Sequence, residues 1–166
     1  MTALPPDSVQ LAEQVIAAYR DRGWMIATAE SCTGGLIAGA LTEIAGSSAV
    51  VDRGFITYSN QAKMDLLGVM PVTLDAYGAV SCETALQMVK GALWRSAADC
   101  AVAVTGIAGP GGGSSEKPVG LVHLAALSRG GRMIHREMRY GDLGRDRVRL
   151  ATIHTALELL LELVQA

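Results

Sequence analysis

Residues 98–106 read ADCAVAVTG, an almost unbroken run of small apolar residues that ends on a threonine and a glycine. A strand covered on one face alternates apolar and polar side chains, whereas a strand covered on both faces is apolar throughout. This run therefore belongs in the interior of a sheet with helices on either side. Just before it, SCETALQMVKGALWRSA (81–97) is predicted to be a helix capped by Ser81, with Glu83 in the first turn, where a carboxylate suits the helix dipole. After it, GIAGPGGGSSEKPVG is the one long loop, and 119–127, RGGR and MIHREMRY together read as a β-hairpin. A final helix is expected over 145–165.

The first half repeats a strand-to-helix pattern. Residues 7–22 place Val9, Leu11, Ala12, Val15, Ile16 and Tyr19 at helical spacing, and Gly23 is a natural stop. A short strand at 24–30 leads into a helix at 33–45. A second strand, DRGFITYS at 52–59, leads into the helix NQAKMDLLG, with Asn60 as its expected N-cap and Gly68 as its stop. VMPVTLDAYG reads as turn-rich. Alternating strands and helices followed by a hairpin predict an α/β fold, a three-layer α/β/α sandwich around a mixed sheet of about five strands. The length of 166 residues fits a single domain over 1–166.

Composition narrows the functional classes. A net charge of −2, from 14 basic and 16 acidic residues, supplies no general field to attract nucleic acid. The N-terminal MTALPPDSVQLAEQV has no leader pattern, and no apolar run approaches the roughly 20 residues that span a bilayer, so a cytoplasmic protein without membrane partners is expected. Cys32, Cys82 and Cys100 form no CxxC pair, and His123, His135 and His154 lie far apart without ligand spacing, so reduced thiols and no metal site are expected.

In open α/β sheets ligands bind beyond the carboxyl ends of the parallel strands, which is where Ser31, Tyr58 and Thr105 fall. Ser31 has two readings: an N-cap for the following helix, or a nucleophile. Lys63 sharpens the second. Counted from Asn60 it stands at the third helical position, where a cation opposes the positive end of the dipole and the fold would prefer Glu. Dipole and desolvation both favour the neutral amine there, and such a lysine can act as a general base; the alternative is an ordinary exposed lysine. A serine beside a neutral lysine is a known variant of serine acyl transfer, although the chain has no G-x-S-x-G elbow. The N–H groups of Cys32, Thr33 and Gly34 are candidates for an oxyanion hole, and Gly34 and Gly35 would let substrate approach the backbone. Cys32 at a helix start is a competing nucleophile or a buried packing residue. Thr105 and Gly106 would close the other side of the crevice. The GPGGG run at 109–113 is a flexible loop or a phosphate cradle, His123 a packing residue, and one of Arg145, Arg147 and Arg149 ahead of the last helix a phosphate clamp.

Four blocks, TAESCTGGLIAGALTEIAGSS, DRGFITYSNQAKMDLLGV, YGAVSCETALQMVKGAL and AVAVTGIAGPGGGSSEKPVG, resemble in sequence and order the CinA C-terminal domain family of nicotinamide mononucleotide deamidases, over about residues 8–165. The resemblance implies hydrolysis of the carboxamide of nicotinamide mononucleotide to nicotinic acid mononucleotide and ammonia, with no cofactor and no metal, in pyridine nucleotide salvage. It implies a stand-alone form without the additional N-terminal domain of larger members. Its serine and lysine fall on Ser31 and Lys63, and its cleft tyrosine and threonine on Tyr58 and Thr105. The family's compact G-D-R motif is expanded here to YGDLGRDRVR, which makes Arg145 the first choice for the phosphate and Arg147 the second. The expected partners are the nucleotide and a second copy of the chain in a homodimer. The competing class is a nucleotide-binding or regulatory module without turnover.

Overall fold

The computed structural model describes residues 4–166; residues 1–3, the start of the segment read for a leader, lie outside it. The elements in chain order are α1 (Pro6–Arg22), β1 (Ile26–Glu30), α2 (Leu36–Thr42), a short 3-10 turn (Ser47–Ala49), β2 (Val51–Ile56), α3 (Asn60–Leu67), α4 (Pro71–Tyr77), α5 (Cys82–Trp94), β3 (Cys100–Gly106), β4 (Leu121–Ser128), β5 (Met133–Arg139) and α6 (Arg145–Gln165). The strands form one mixed sheet in the order β2-β1-β3-β4-β5. β1 runs parallel to both β2 and β3, while β3–β4 and β4–β5 are antiparallel. The expected three layers and five strands are both present.

The small-residue run 98–106 supplies the central strand, and each of its faces has a different job. Cys100, Val102 and Val104 point into a core built with α1, α2 and α6, whereas Ala101 and Ala103 point into a second core under α5. Alternation along the strand sends these sets to opposite faces. On the α5 side, β1 and β4 also present alanines, Ala27, Ala29 and Ala125, which let α5 lie close to the sheet. Close approach recurs between α5 and α3, where a Cβ on Gly91 would come within 2.0 Å of the Leu67 carbonyl oxygen.

Several boundaries differ from expectation for identifiable reasons. VMPVTLDAYG contains the helix α4: its proline sits at the first helical position, where a fixed φ and a missing N–H are tolerated. α2 begins at Leu36 rather than at 33, because Gly34 and Gly35 adopt φ of 58° and 100° and make the TGG segment a turn. The N-cap of α3 is Ser59, whose hydroxyl accepts from the Ala62 N–H at 3.0 Å, so Asn60 is the first helical residue and Lys63 the fourth. β2 stops at Ile56, which leaves Tyr58 in the connection beyond it. The final helix keeps its expected bounds as α6, so Arg145, Arg147 and Arg149 stand on its first turns.

Candidate active site

The chain leaves β1 toward β2 on one side and later returns to build β3 on the other. The carboxyl ends of β1 and β3 therefore flank a topological switch point, the ordinary location of a ligand crevice in such sheets. A cavity of about 270 Å³ opens there, with Ser31 and Cys32 from the end of β1, Lys63 from α3, Thr105 and Gly106 from β3, and Tyr58, Arg145 and the glycine loop around its mouth.

Ser31 continues the sheet by one hydrogen bond, from its N–H to the Val104 carbonyl at 3.1 Å, and then turns. Its carbonyl accepts from the Gly34 N–H at 3.0 Å, which closes the turn. Ser31 is therefore not the N-cap of α2. The carboxylate of Glu30 meets the helix start instead, accepting from the N–H groups of Ile37 at 2.8 Å and Ala38 at 3.0 Å. The Ser31 hydroxyl is left facing Lys63, with Oγ and Nζ 2.9 Å apart.

Lys63 is 1% exposed and so is not a surface lysine. Its Nζ also donates to the carbonyls of Thr57 at 2.8 Å and Tyr58 at 3.4 Å. Burial lowers its pKa from 10.5 to about 8, an effect partly opposed by the nearby Cys32 thiol. A neutral amine has two N–H donors and one lone pair. The amine reaches three oxygens, Ser31 Oγ and the two carbonyls; in its neutral form, with both N–H donors on the carbonyls, the lone pair would be left for the Ser31 hydroxyl.

The other candidate residues are placed unevenly. Cys32 is 5% exposed within the apolar core, and burial pushes its thiol up to about 11. Thr33 is turned inward and donates its hydroxyl to Glu30 at 2.6 Å. Gly34 and Gly35 do not offer their open sides to the cavity: a Cβ on Gly34 would meet Arg149 at 3.6 Å, and one on Gly35 would meet Ile56 at 2.9 Å. The Gly34 N–H, committed to the Ser31 carbonyl, is unsuited to an oxyanion hole, whereas among the described residues the N–H groups of Cys32 and Thr33 have no hydrogen-bond partner. The Thr105 hydroxyl donates to the Ala79 carbonyl at 2.7 Å. Gly106 has no room for a side chain, since a Cβ would come within 2.6 Å of Val122. The Tyr58 phenol is exposed and accepts from Arg145 at 2.7 Å; only its backbone carbonyl reaches Lys63. Arg145 also donates to the Gly109 carbonyl at 2.8 Å and so links Tyr58 to the glycine loop, while Arg147 lies outside the cavity lining.

Glu30 is not among the residues singled out from the sequence, and Arg149, there a candidate phosphate clamp, instead donates to the Cys32 and Thr33 carbonyls. The only cue to Glu30 is a carboxylate ending an otherwise apolar run, and the only cue to Arg149 is its spacing of four from Arg145. His123 stacks on His135 in the hairpin, with Nδ1 and Nε2 3.0 Å apart, away from this cavity. Among the described residues no three His, Cys, Asp or Glu side chains are grouped so as to hold a metal ion, and no helix is long and apolar enough to cross a membrane.

Comparison with known proteins converges on the same framework. The chain is 51% identical over 153 residues to the nicotinamide-nucleotide amidohydrolase PncC of Escherichia coli strain K12, covering 92% of each chain. It is 52% identical over 142 residues to the protein of the same name from Enterobacter agglomerans, covering 85% of each. The crystal structure of the competence/damage inducible protein CihA from Agrobacterium tumefaciens superposes with a TM-score of 0.97 at 66% identity, over 98% of this chain and 99% of the other. Residues 8–164 match the model of the CinA C-terminal domain. A strand-end serine, a buried lysine and a glycine loop thus sit on a fold and a sequence shared along nearly the whole chain, which belongs to the CinA C-terminal domain family.

Proposed function

We propose that this protein is an amidohydrolase that converts nicotinamide mononucleotide to nicotinic acid mononucleotide and ammonia, a reaction of pyridine nucleotide salvage. The observation that carries the mechanism is the 2.9 Å contact between the Lys63 amine and the Ser31 hydroxyl, with two carbonyls holding the amine's hydrogens. The relatives named as nicotinamide-nucleotide amidohydrolases support the substrate.

In this reading neutral Lys63 takes the Ser31 proton while Oγ bonds to the carboxamide carbon. The carbonyl oxygen becomes an oxyanion facing the free N–H group of Cys32. The C–N bond then breaks, the Lys63 ammonium returns the proton to the departing nitrogen, and ammonia leaves an ester on Ser31. Water attacks this ester with Lys63 again as base; the proton returns to Ser31 Oγ, and nicotinic acid mononucleotide is released. Tyr58 holds the Lys63 amine through its backbone carbonyl and braces Arg145 at the mouth through its phenol oxygen.

Incubation of the purified protein with nicotinamide mononucleotide should release ammonia and nicotinic acid mononucleotide in equal amounts. Tight binding without ammonia would establish the competing binding-module reading. Arg145, at the mouth, is positioned for the 5′-phosphate. A charge-assisted hydrogen bond to a phosphate contributes about 1.5–3 kcal/mol, or roughly 10- to 100-fold in affinity. Arg145→Ala should lower kcat/KM for the mononucleotide by that factor and leave the phosphate-free riboside nearly unchanged. Equal losses on both would remove Arg145 from phosphate recognition.

A further inference from the structure

We propose that Arg149 is a positioning residue: together with Glu30 it clamps the turn that carries Ser31 and the Cys32 N–H at the cavity wall. The inference rests on the Ser31 reading above. Only five residues separate β1 from α2, and two of them are glycines at positive φ, so the turn has little rigidity of its own. It is held from two sides.

From the sheet side, the buried Glu30 carboxylate gathers four donors: the N–H groups of Ile37 and Ala38, the Thr33 hydroxyl, and the Thr28 hydroxyl at 3.3 Å. These bonds fix where α2 starts. They also occupy its N-terminal N–H groups, so the helix end itself is not the oxyanion site. From the opposite element, α6, the Arg149 guanidinium donates from Nε to the Cys32 carbonyl at 3.1 Å and from Nη2 to the Thr33 carbonyl at 3.2 Å.

The consequence follows from peptide planarity. In a trans peptide the C=O and the next N–H point in opposite directions. The direction of the Cys32 N–H is therefore set by the bond that the Ser31 carbonyl accepts from Gly34. That bond lies within the turn, and Arg149 holds the turn's next two carbonyls, of Cys32 and Thr33. A planar fork can hold two adjacent carbonyls at once, whereas an ammonium is a single point charge. Thr33 is pinned twice, its hydroxyl by Glu30 and its carbonyl by Arg149.

The test measures Arg149→Ala and Arg149→Lys by steady-state kinetics on nicotinamide mononucleotide, and by the rate at which p-nitrophenyl acetate acylates Ser31, with the site read by peptide mass. Loosening the turn that positions the Ser31 hydroxyl and the Cys32 N–H should lower kcat and the acylation rate by about 10- to 100-fold, below the loss on deleting an oxyanion donor outright. KM should stay within about threefold, and the pH midpoint near 8 should not move because Lys63 is untouched. Methylguanidine should restore part of the activity of Arg149→Ala, and Arg149→Lys should remain impaired. Variants that lose thermal stability but keep wild-type kcat and acylation rate would overturn the clamp while leaving the nucleophile in place. A wild-type protein whose Ser31 stays unlabelled would overturn the nucleophile reading and the clamp with it. Should Arg149→Ala fail to fold, the kinetics of Arg149→Lys decide by the same criteria.

Discussion

Ser31→Ala is expected to reduce ammonia release to background, a loss of at least about 10³-fold, whereas Cys32→Ala should retain turnover within a few-fold. Deleting a nucleophile leaves only the residual catalysis of binding and the oxyanion hole. Both residues line the cavity, and the difference between them is environmental. The Cys32 thiol, pushed up to about 11 by burial, holds almost no thiolate near neutral pH, and Cys32 belongs to the apolar core. The Ser31 hydroxyl faces an amine at 2.9 Å. A Cys32→Ala protein would lose some packing and a few degrees of melting temperature without losing its chemistry. Initial rates of ammonia release for the two purified variants check this, and the reverse ranking would transfer the nucleophile to sulfur.

Lys63 is expected to show opposite effects on activity and on stability. A general base is typically worth about 10²–10⁴-fold, and Lys63→Met should lose that much kcat. Lys63→Arg should lose as much, because guanidinium stays protonated. For stability, the folded-state value of about 8 lies below the ordinary 10.5 of the unfolded chain. Below pH 8 both states are protonated, and the fold carries the full cost of a buried ammonium, about 3 kcal/mol. Between pH 8 and 10.5 the unfolded chain holds a proton that the folded chain has released, so the site's contribution to stability rises with pH across that window. Lys63→Met removes the ammonium but leaves the Thr57 and Tyr58 carbonyls without it, which offsets about 1–3 kcal/mol of the gain. The variant should therefore be at least as stable as wild type at pH 7, and its advantage should shrink by pH 10. Urea denaturation at both pH values reads the difference; a gap independent of pH would contradict the lowered folded-state value.

What could be read beforehand follows from which interactions are local. The small residues of 98–106, the alternation of strands and helices, and stops such as Gly23 and Gly68 are properties of short windows, and they carried the architecture. The start of α2 was misplaced because a Thr-Gly-Gly can open a helix or make a turn, and a carboxylate from the preceding strand decided between them. Asn60 and Ser59 are both good caps, and nothing in their chemistry ranks one above the other. At the site, the chain itself put Ser31 after a strand and Lys63 in an early helical turn. Their contact spans 32 residues and depends on how α3 returns beside β1. The role of Glu30 and the partners of Arg149 could not be read for the same reason. Arg149 meets the turn across more than a hundred residues, and one of three alternating arginines at a helix start carries no sign of its partner.

The claim on which the mechanism depends is that Lys63 is available as a neutral amine beside Ser31. The most direct measurement is a pH titration of the Lys63 side chain by NMR, with lysine labelled at the ε-carbon and the resonance assigned by its loss in Lys63→Met. The expected result is a single titration with a midpoint near 8, more than two units below the ordinary lysine value of 10.5. A Lys63 resonance that stays protonated to pH 10 and beyond would contradict the account, since the amine could then take no proton from Ser31 at the pH of the reaction.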